Sequence, residues 1–336
     1  MNGILQTLLS SPEPSIRYKV RLRVIGEAED SPPLMALRQE IKGSERVRTL
    51  LAERDELGRI PPAGHPYAKW RGAHWVLASL ADIGYPAGEA ELLPVRDQVL
   101  DYWLGERFTR EYPAAKASKS YALKGVPVIQ GRARRCASQQ GNALYATLAL
   151  GLADERCERL ASLLMRWQWP DGGWNCDRKP GAASSSFYES LIPLRALALY
   201  AKVSSEARAR IASEAAAQVF LKRRLFRRVA DGSVMSTEFL SLHYPCYWHY
   251  DILFALKVMA EAGFIGDPRC GEALDRLEAK SLPGGGWPAE YKFYTLSDTG
   301  SSAERVSWGG TGKKKMNEWV TADVLFVLKA AGRLTP

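Results

Sequence analysis

Arg166-Trp167-Gln168-Trp169-Pro170-Asp171-Gly172-Gly173-Trp174-Asn175-Cys176-Asp177 joins the end of one helical stretch to a tight turn flanked by indoles. Proline fixes φ, the aspartate can bond its own backbone, and the two glycines accept positive φ without a steric penalty. Tryptophans on both sides are placed to brace the turn. Ser281-Leu282-Pro283-Gly284-Gly285-Gly286-Trp287-Pro288 repeats the design later in the chain. Two copies of one turn point to an internally repeated fold.

Periodicity extends the repeat. A leucine is followed three, four and seven residues later by small or apolar groups in Leu77-Leu80-Ala81-Gly84, Leu144-Thr147-Leu148-Gly151 and Leu256-Met259-Ala260-Gly263. Each reads as a buried helix that stops at glycine. Leu325-Leu328-Lys329-Gly332 keeps the register with one lysine, and Leu194-Leu197-Ala198-Ala201 keeps it with alanine at the end. A weaker sixth helix is Ile16-Val20-Val24 up to Gly26, opened by Ser11-Pro12-Glu13-Pro14-Ser15. More polar, amphipathic segments alternate with these: 34–53, 92–106, 155–167, 206–228 and 268–280. Such pairs cannot bury their own apolar faces and must stack side by side. Helices apolar nearly all round belong inside a second shell. The expectation is an all-α protein, an α/α toroid (α6/α6 barrel) of about six helix hairpins spanning 1–336, with residues 1–60 a weaker repeat that closes the ring.

Composition narrows the function classes. The five cysteines, Cys136, Cys157, Cys176, Cys246 and Cys270, form no CxxC pair and read as reduced thiols. The first residues lack the pattern of a signal peptide, and no apolar run is long enough to span a bilayer. A soluble, cytoplasmic protein with no integral membrane segment is expected. A formal charge of +9 favours an anionic partner. The cationic segment Lys222-Arg223-Arg224 with Arg227 and Arg228 carries a single aromatic, Phe226, and no repeated aromatic-basic alternation, which counts against single-strand nucleic-acid binding and leaves a small molecule as the expected partner.

The turn Gln168-Trp169-Pro170-Asp171-Gly172-Gly173-Trp174 resembles the QW motif of squalene and oxidosqualene cyclases. The alternating helix pairs resemble the α/α toroid that those cyclases share with protein prenyltransferase β subunits. The resemblance implies a central cavity that takes an isoprenoid, or another apolar substrate with an anionic head. Neither the DxDD nor the DDxxD motif of terpenoid chemistry occurs, since the chain contains no Asp-Asp pair. Prenyltransferases hold zinc at the mouths of inner helices with Asp, Cys and His, and by that resemblance Cys136 and His249 are weak candidate ligands of zinc.

Aligning the helices on their template leucines gives a residue list for the cavity mouth. Eight before the leucine stand Lys69, Cys136, Ser186, Trp248 and Asn317; seven before stand Trp70, Ala137, Phe187, His249 and Glu318. The next inward level holds Gln139, Glu189 and Asp251, whereas later turns read as aliphatic, which describes a polar rim over a filled floor. His249, Asp251, Glu189 and Cys136 are the candidate catalytic groups. His249 with Asp251 reads as an acid/base pair or as a helix cap. Glu189 reads as a capping-box partner of Ser186 or as an acid, and Cys136 as a small buried side chain or a nucleophile beside arginines. Lys69, Trp70, His74, Trp75, Arg135, Gln139, Trp248, Asn317, Glu318 and Trp319 are the candidate binding residues. Clusters Arg132/Arg134/Arg135 and Lys313/Lys314/Lys315 flank this rim and suit a diphosphate or carboxylate. Two alternatives stay open. One is a toroid lyase or hydrolase acting on a sugar; the other is a non-catalytic helical-repeat protein, since Pro14-Ser15-Ile16-Arg17-Tyr18 resembles the start of a HEAT-type repeat.

Overall fold

Every apolar template of the sequence is a helix in the computed structural model, which describes residues 2–62, 65–115 and 125–334. The first helices are α1 (Asn2–Leu9), α2 (Pro14–Val20), α3 (Pro32–Lys42), α4 (Glu45–Leu51) and α5 (Ala73–Ile83). There follow α6 (Leu93–Leu104), the single turn α7 (Glu106–Thr109), α8 (Ala137–Ala149) and α9 (Glu155–Arg166). The last are α10 (Phe187–Ser204), α11 (Ala207–Leu221), α12 (Ile252–Glu261), α13 (Gly271–Glu278) and α14 (Glu318–Ala330). The described residues are therefore largely helical. The amphipathic stretch 34–53 is two helices rather than one, because Gly43 ends α3 and Ser44 caps α4 by accepting from the Val47 N–H. The five short strands were not expected; β1 (Glu111–Pro113), β2 (Val126–Ile129) and β3 (Arg132–Ala133) form one sheet, and β4 (Thr295–Leu296) pairs with β5 (Ala303–Glu304).

Six helices carry the templates and pack on one another in sequence. Helix α2 lies on α5, α5 on α8, α8 on α10, α10 on α12, α12 on α14, and α14 returns to α2. Outside them α3 covers α2, α6 covers α5, α9 covers α8, α11 covers α10 and α13 covers α12. The inner set is apolar nearly all round, as in α12, where residues Ile252 to Met259 are all buried. Two close approaches depend on glycine. At Gly84 the backbone is left-handed (φ 84°) and a Cβ would come within 2.3 Å of the Tyr18 ring, so α5 ends against α2. At Gly141 a Cβ would meet the backbone of Pro193 at 2.9 Å, which lets α8 and α10 approach closely.

The turns that open the sequence argument share one hydrogen-bond scheme. Trp169 N–H donates to Gly173 O at 2.7 Å and Gly172 N–H to Trp169 O at 2.9 Å. In the second copy Leu282 N–H donates to Gly286 O at 2.9 Å and Gly285 N–H to Leu282 O at 2.8 Å. Both indoles that follow reach back to the preceding helix: Trp174 Nε1 to Leu164 O at 2.9 Å, Trp287 Nε1 to Leu277 O at 2.8 Å. The repeat is thus physical, and each buried indole finds an acceptor as its polar edge requires.

Where the six inner helices meet, the expected aliphatic floor is instead a buried ionic cluster. Lys19 of α2 pairs with Asp82 of α5 at 3.1 Å and with Asp323 of α14 at 3.0 Å. Lys257 of α12 reaches the same two carboxylates at 2.8 Å each. Beside them Glu261 of α12 accepts from Arg23 at 2.8 Å and from Arg195 of α10 at 2.5 Å. The Arg195 guanidinium also lies 3.7 Å from the ring centroid of Tyr145 on α8. Every inner helix contributes a member, α8 through the uncharged Tyr145 ring, and the four cations Lys19, Arg23, Arg195 and Lys257 share the three carboxylates Asp82, Glu261 and Asp323 across the helices. Burial alone would raise the Glu261 carboxyl, but Arg195 and Arg23 outweigh it and hold it down at about 2.

Candidate functional site

At the N-terminal ends of α5, α8 and α10 the candidate residues converge on a pocket of about 360 Å³. Arg135, Cys136, Gln139, Glu189 and Trp248 line it, together with Tyr67, Tyr102, Trp103, Arg107 and Phe108. Lys69 lies at its edge, with its ammonium 5.0 Å from the Trp248 ring. Two cations rest against the aromatic wall, Arg107 at 4.7 Å and Arg135 at 4.6 Å from the Phe108 ring. The four aromatics Tyr67, Tyr102, Trp103 and Phe108, with Trp248, make the wall mostly apolar, which suits an apolar ligand body.

Glu189 occupies the polar end. Its Oε2 accepts from the Ser138 N–H at 3.1 Å and the Ser138 hydroxyl at 2.8 Å, and its Oε1 accepts from Cys176 Sγ at 3.3 Å. The carboxylate therefore caps α8, not its own helix, and Ser186 makes no side-chain cap on α10. This replaces the expected capping box: the spacing is right, but the side chain turns across to the neighbouring helix. Burial raises the Glu189 carboxyl above its ordinary range, with the Ser138 bonds opposing. Cys136 is the residue before α8, and its thiol is pushed well up, first by its hydrogen bond with Cys176 and then by burial. Cys176 enters because the chain after the first indole turn runs beside the approach to α8, with Arg134 and Asn175 bridged in parallel and Arg135 N–H bonded to Asn175 O at 3.3 Å.

The remaining candidates lie elsewhere or act differently. Asp251 caps α12 through the Phe254 N–H at 2.7 Å and receives His243, whose Nδ1 is 2.7 Å away. The expected pairing with His249 is thus displaced by His243, which the motif around residue 249 did not suggest. His249 is instead stacked between Trp248 at 4.1 Å and Phe293 at 3.3 Å, and burial lowers its ring to about 3. It is neutral at ordinary pH and lies outside the thiol and carboxyl group around Cys136. His74 is buried, accepts from Trp103 Nε1 at 3.0 Å and is likewise lowered to about 3 by burial. Trp70 stacks on Tyr247 at 3.8 Å and donates to Phe293 O at 2.9 Å, and Trp75 donates to Tyr67 O at 3.1 Å. Both are wall residues behind the pocket.

Asn317, Glu318 and Trp319 border a different, open groove of about 1080 Å³ beside Arg46 and Lys315. The shared register placed them with Cys136, but α14 begins next to the segment before α2. Asn317 caps α14 through Trp319 and Val320 N–H groups, Glu318 accepts from Ser11 Oγ at 2.8 Å, and Trp319 stacks on Tyr244 at 5.0 Å. Of the flanking arginines, Arg134 donates to the carbonyls of Asp177 and Ala182 at 3.1 and 2.9 Å, a structural use.

No protein-family model and no curated protein sequence matches the chain. Its chemistry rests on the pocket itself. Sequence reasoning missed Cys176 as more than a turn residue, and missed Tyr67, Tyr102, Trp103, Arg107 and Phe108. No motif marks those four aromatics or Arg107; they come from the connection before α5 and from α6 and α7. Among the described residues no helix is long and apolar enough to cross a membrane.

Proposed function

We propose that the six inner helices form an α/α toroid and that its mouth binds a small molecule with an apolar body and an anionic head, on which Glu189 acts as proton donor. The cyclic order of helix contacts, ending with α14 on α2, supports the toroid. The observation that carries the chemistry is a buried carboxyl, raised by desolvation, at the polar end of an aromatic pocket. A carboxyl kept toward its neutral form can deliver a proton to an apolar ligand, as general acid catalysis requires. Arg107 and Arg135 against Phe108 supply positive charge for the anionic head. The ionic cluster closes the floor, so the ligand sits at the mouth and does not thread the ring.

Prenyl diphosphates of increasing length are the first test set. Binding is read by quenching of tryptophan fluorescence, since Trp103 and Trp248 line the pocket. Arg135→Ala and Trp248→Ala are each expected to weaken binding roughly 10-fold or more, one through charge and one through contact area. Glu189→Gln is expected to bind normally and lose on the order of 100-fold in turnover. Wild-type protein that shows neither quenching nor turnover with any prenyl diphosphate or simpler anionic amphiphile would overturn the reading.

A further inference from the structure

Three ligand-type side chains from three separate segments meet at one point. Cys136 precedes α8, Cys176 follows the first indole turn, and Glu189 lies in the first turn of α10. Their two sulfurs and one carboxylate oxygen all lie within 4.8 Å of one another. Among the described residues this is the one group of three or more His, Cys, Asp or Glu side chains so arranged. Around a tetrahedral zinc ion, with Zn–S near 2.3 Å and Zn–O near 2.1 Å, neighbouring ligand atoms stand roughly 3.5 to 3.8 Å apart. The Cys176 to Glu189 separation of 3.3 Å is already in that range within a few tenths of an ångström.

We propose that Cys136, Cys176 and Glu189 form a cation site of zinc type, with three protein ligands and a fourth position turned toward the aromatic pocket. The set is soft enough to exclude magnesium and calcium, which take oxygen ligands, and two thiolates with one carboxylate suit zinc. Cys136 and Glu189 both line the pocket, so an ion held between them presents its remaining position to whatever the pocket contains. The outer contacts are already built: Ser138 fixes the second carboxylate oxygen through two hydrogen bonds, leaving Oε1 directed at the sulfur of Cys176. A dication entering the site takes thiolate and carboxylate ligands, so its binding releases the thiol protons. This inference stands on the three side chains and does not depend on the ligand proposed for the pocket. With an ion bound Glu189 is a ligand and not a proton donor, so the ion and the acid role of Glu189 are alternatives, and metal uptake replaces that role.

The test uses the full chain, stripped with chelator, reduced and shown to be folded by circular dichroism, then titrated with cobalt(II). One equivalent per chain is expected, with thiolate-to-cobalt charge-transfer absorption, tetrahedral visible bands, release of two or more protons into a weakly buffered indicator, and displacement by zinc. Cys136→Ser and Cys176→Ser should each remove the charge-transfer band or weaken binding at least 100-fold, and Glu189→Gln should weaken it about 10- to 100-fold. Cys157→Ser and Cys270→Ser, at buried thiols elsewhere in the fold, should leave it intact. Folded, fully reduced wild-type protein that takes up no cobalt overturns the site, as does absorption that survives loss of Cys136 and Cys176 together. A catalytic failure with prenyl diphosphates leaves this titration untouched, so the two ideas fail separately.

Discussion

Glu189 on α10 closes the N-terminus of α8 by accepting both the backbone N–H and the hydroxyl of Ser138, at 3.1 and 2.8 Å. One carboxylate thereby ties two inner helices together at the mouth and forms part of the pocket. Its folded-state pKa lies above its unfolded value, so ionising it opposes folding. The sign follows: its contribution is most favourable below the unfolded pKa and is lost as pH rises through the folded one. Glu189→Gln, which keeps an acceptor for Ser138, is expected to match or raise the wild-type Tm at pH 7 and to show no such gain at pH 4. Thermal unfolding at the two pH values checks this; a lower Tm for the variant at pH 7 would contradict it.

Acid stability should follow Glu261 and the two buried imidazoles. Glu261 falls from 4.5 unfolded to about 2 folded, and His74 and His249 fall from 6.5 to about 3. All three are depressed in the fold, so each contributes stability above its unfolded pKa and loses it as pH drops toward the folded value. Denaturation midpoints should therefore decline from pH 6.5 downward and more steeply below pH 4.5. His74→Asn should flatten the upper part of that decline and leave the lower part in place.

Removing one cation from the ionic cluster strands its partners. Lys257→Met leaves Asp82 and Asp323 with Lys19 as their shared lysine, where Lys19 and Asp323 are buried and Asp82 is partly buried. A loss of about 3–5 kcal/mol is expected, read from urea unfolding at pH 7. The double change Lys257→Met with Asp323→Leu should recover part of it, because the pair is removed together.

Gly84→Ala combines a left-handed backbone with a clash, since the new methyl would meet the Tyr18 ring at 2.3 Å. The cost should be about 2 kcal/mol or more in chemical denaturation. Tyr18→Ala in the same background removes the clash but not the φ penalty, so a double-mutant cycle separates the two.

The fold was legible where periodicity and turn chemistry agree. Gly84, Gly151, Gly263 and Gly332, read as helix stops, all take positive φ, and both indole turns repeat down to their hydrogen bonds. The ionic cluster was hidden because attention to the leucines ignored the residue after them. Tyr145, Arg195 and Lys257 each stand one position beyond a template leucine, a shared offset that faces the centre. At the mouth, the common register placed Cys136 and Trp248 on one pocket but could not show that α14 begins beside the segment before α2. His243 pairs with Asp251 across a loop whose path no local pattern encodes.

The central cluster also ties together segments far apart in the chain. Lys19 is made long before Asp323, yet the two meet at 3.0 Å. Until α14 has been made, Lys19, Arg23, Arg195 and Lys257 have only Asp82 and Glu261 among the carboxylates of the cluster, so the centre takes its final ion pairing only when α14 packs against α2 and α12.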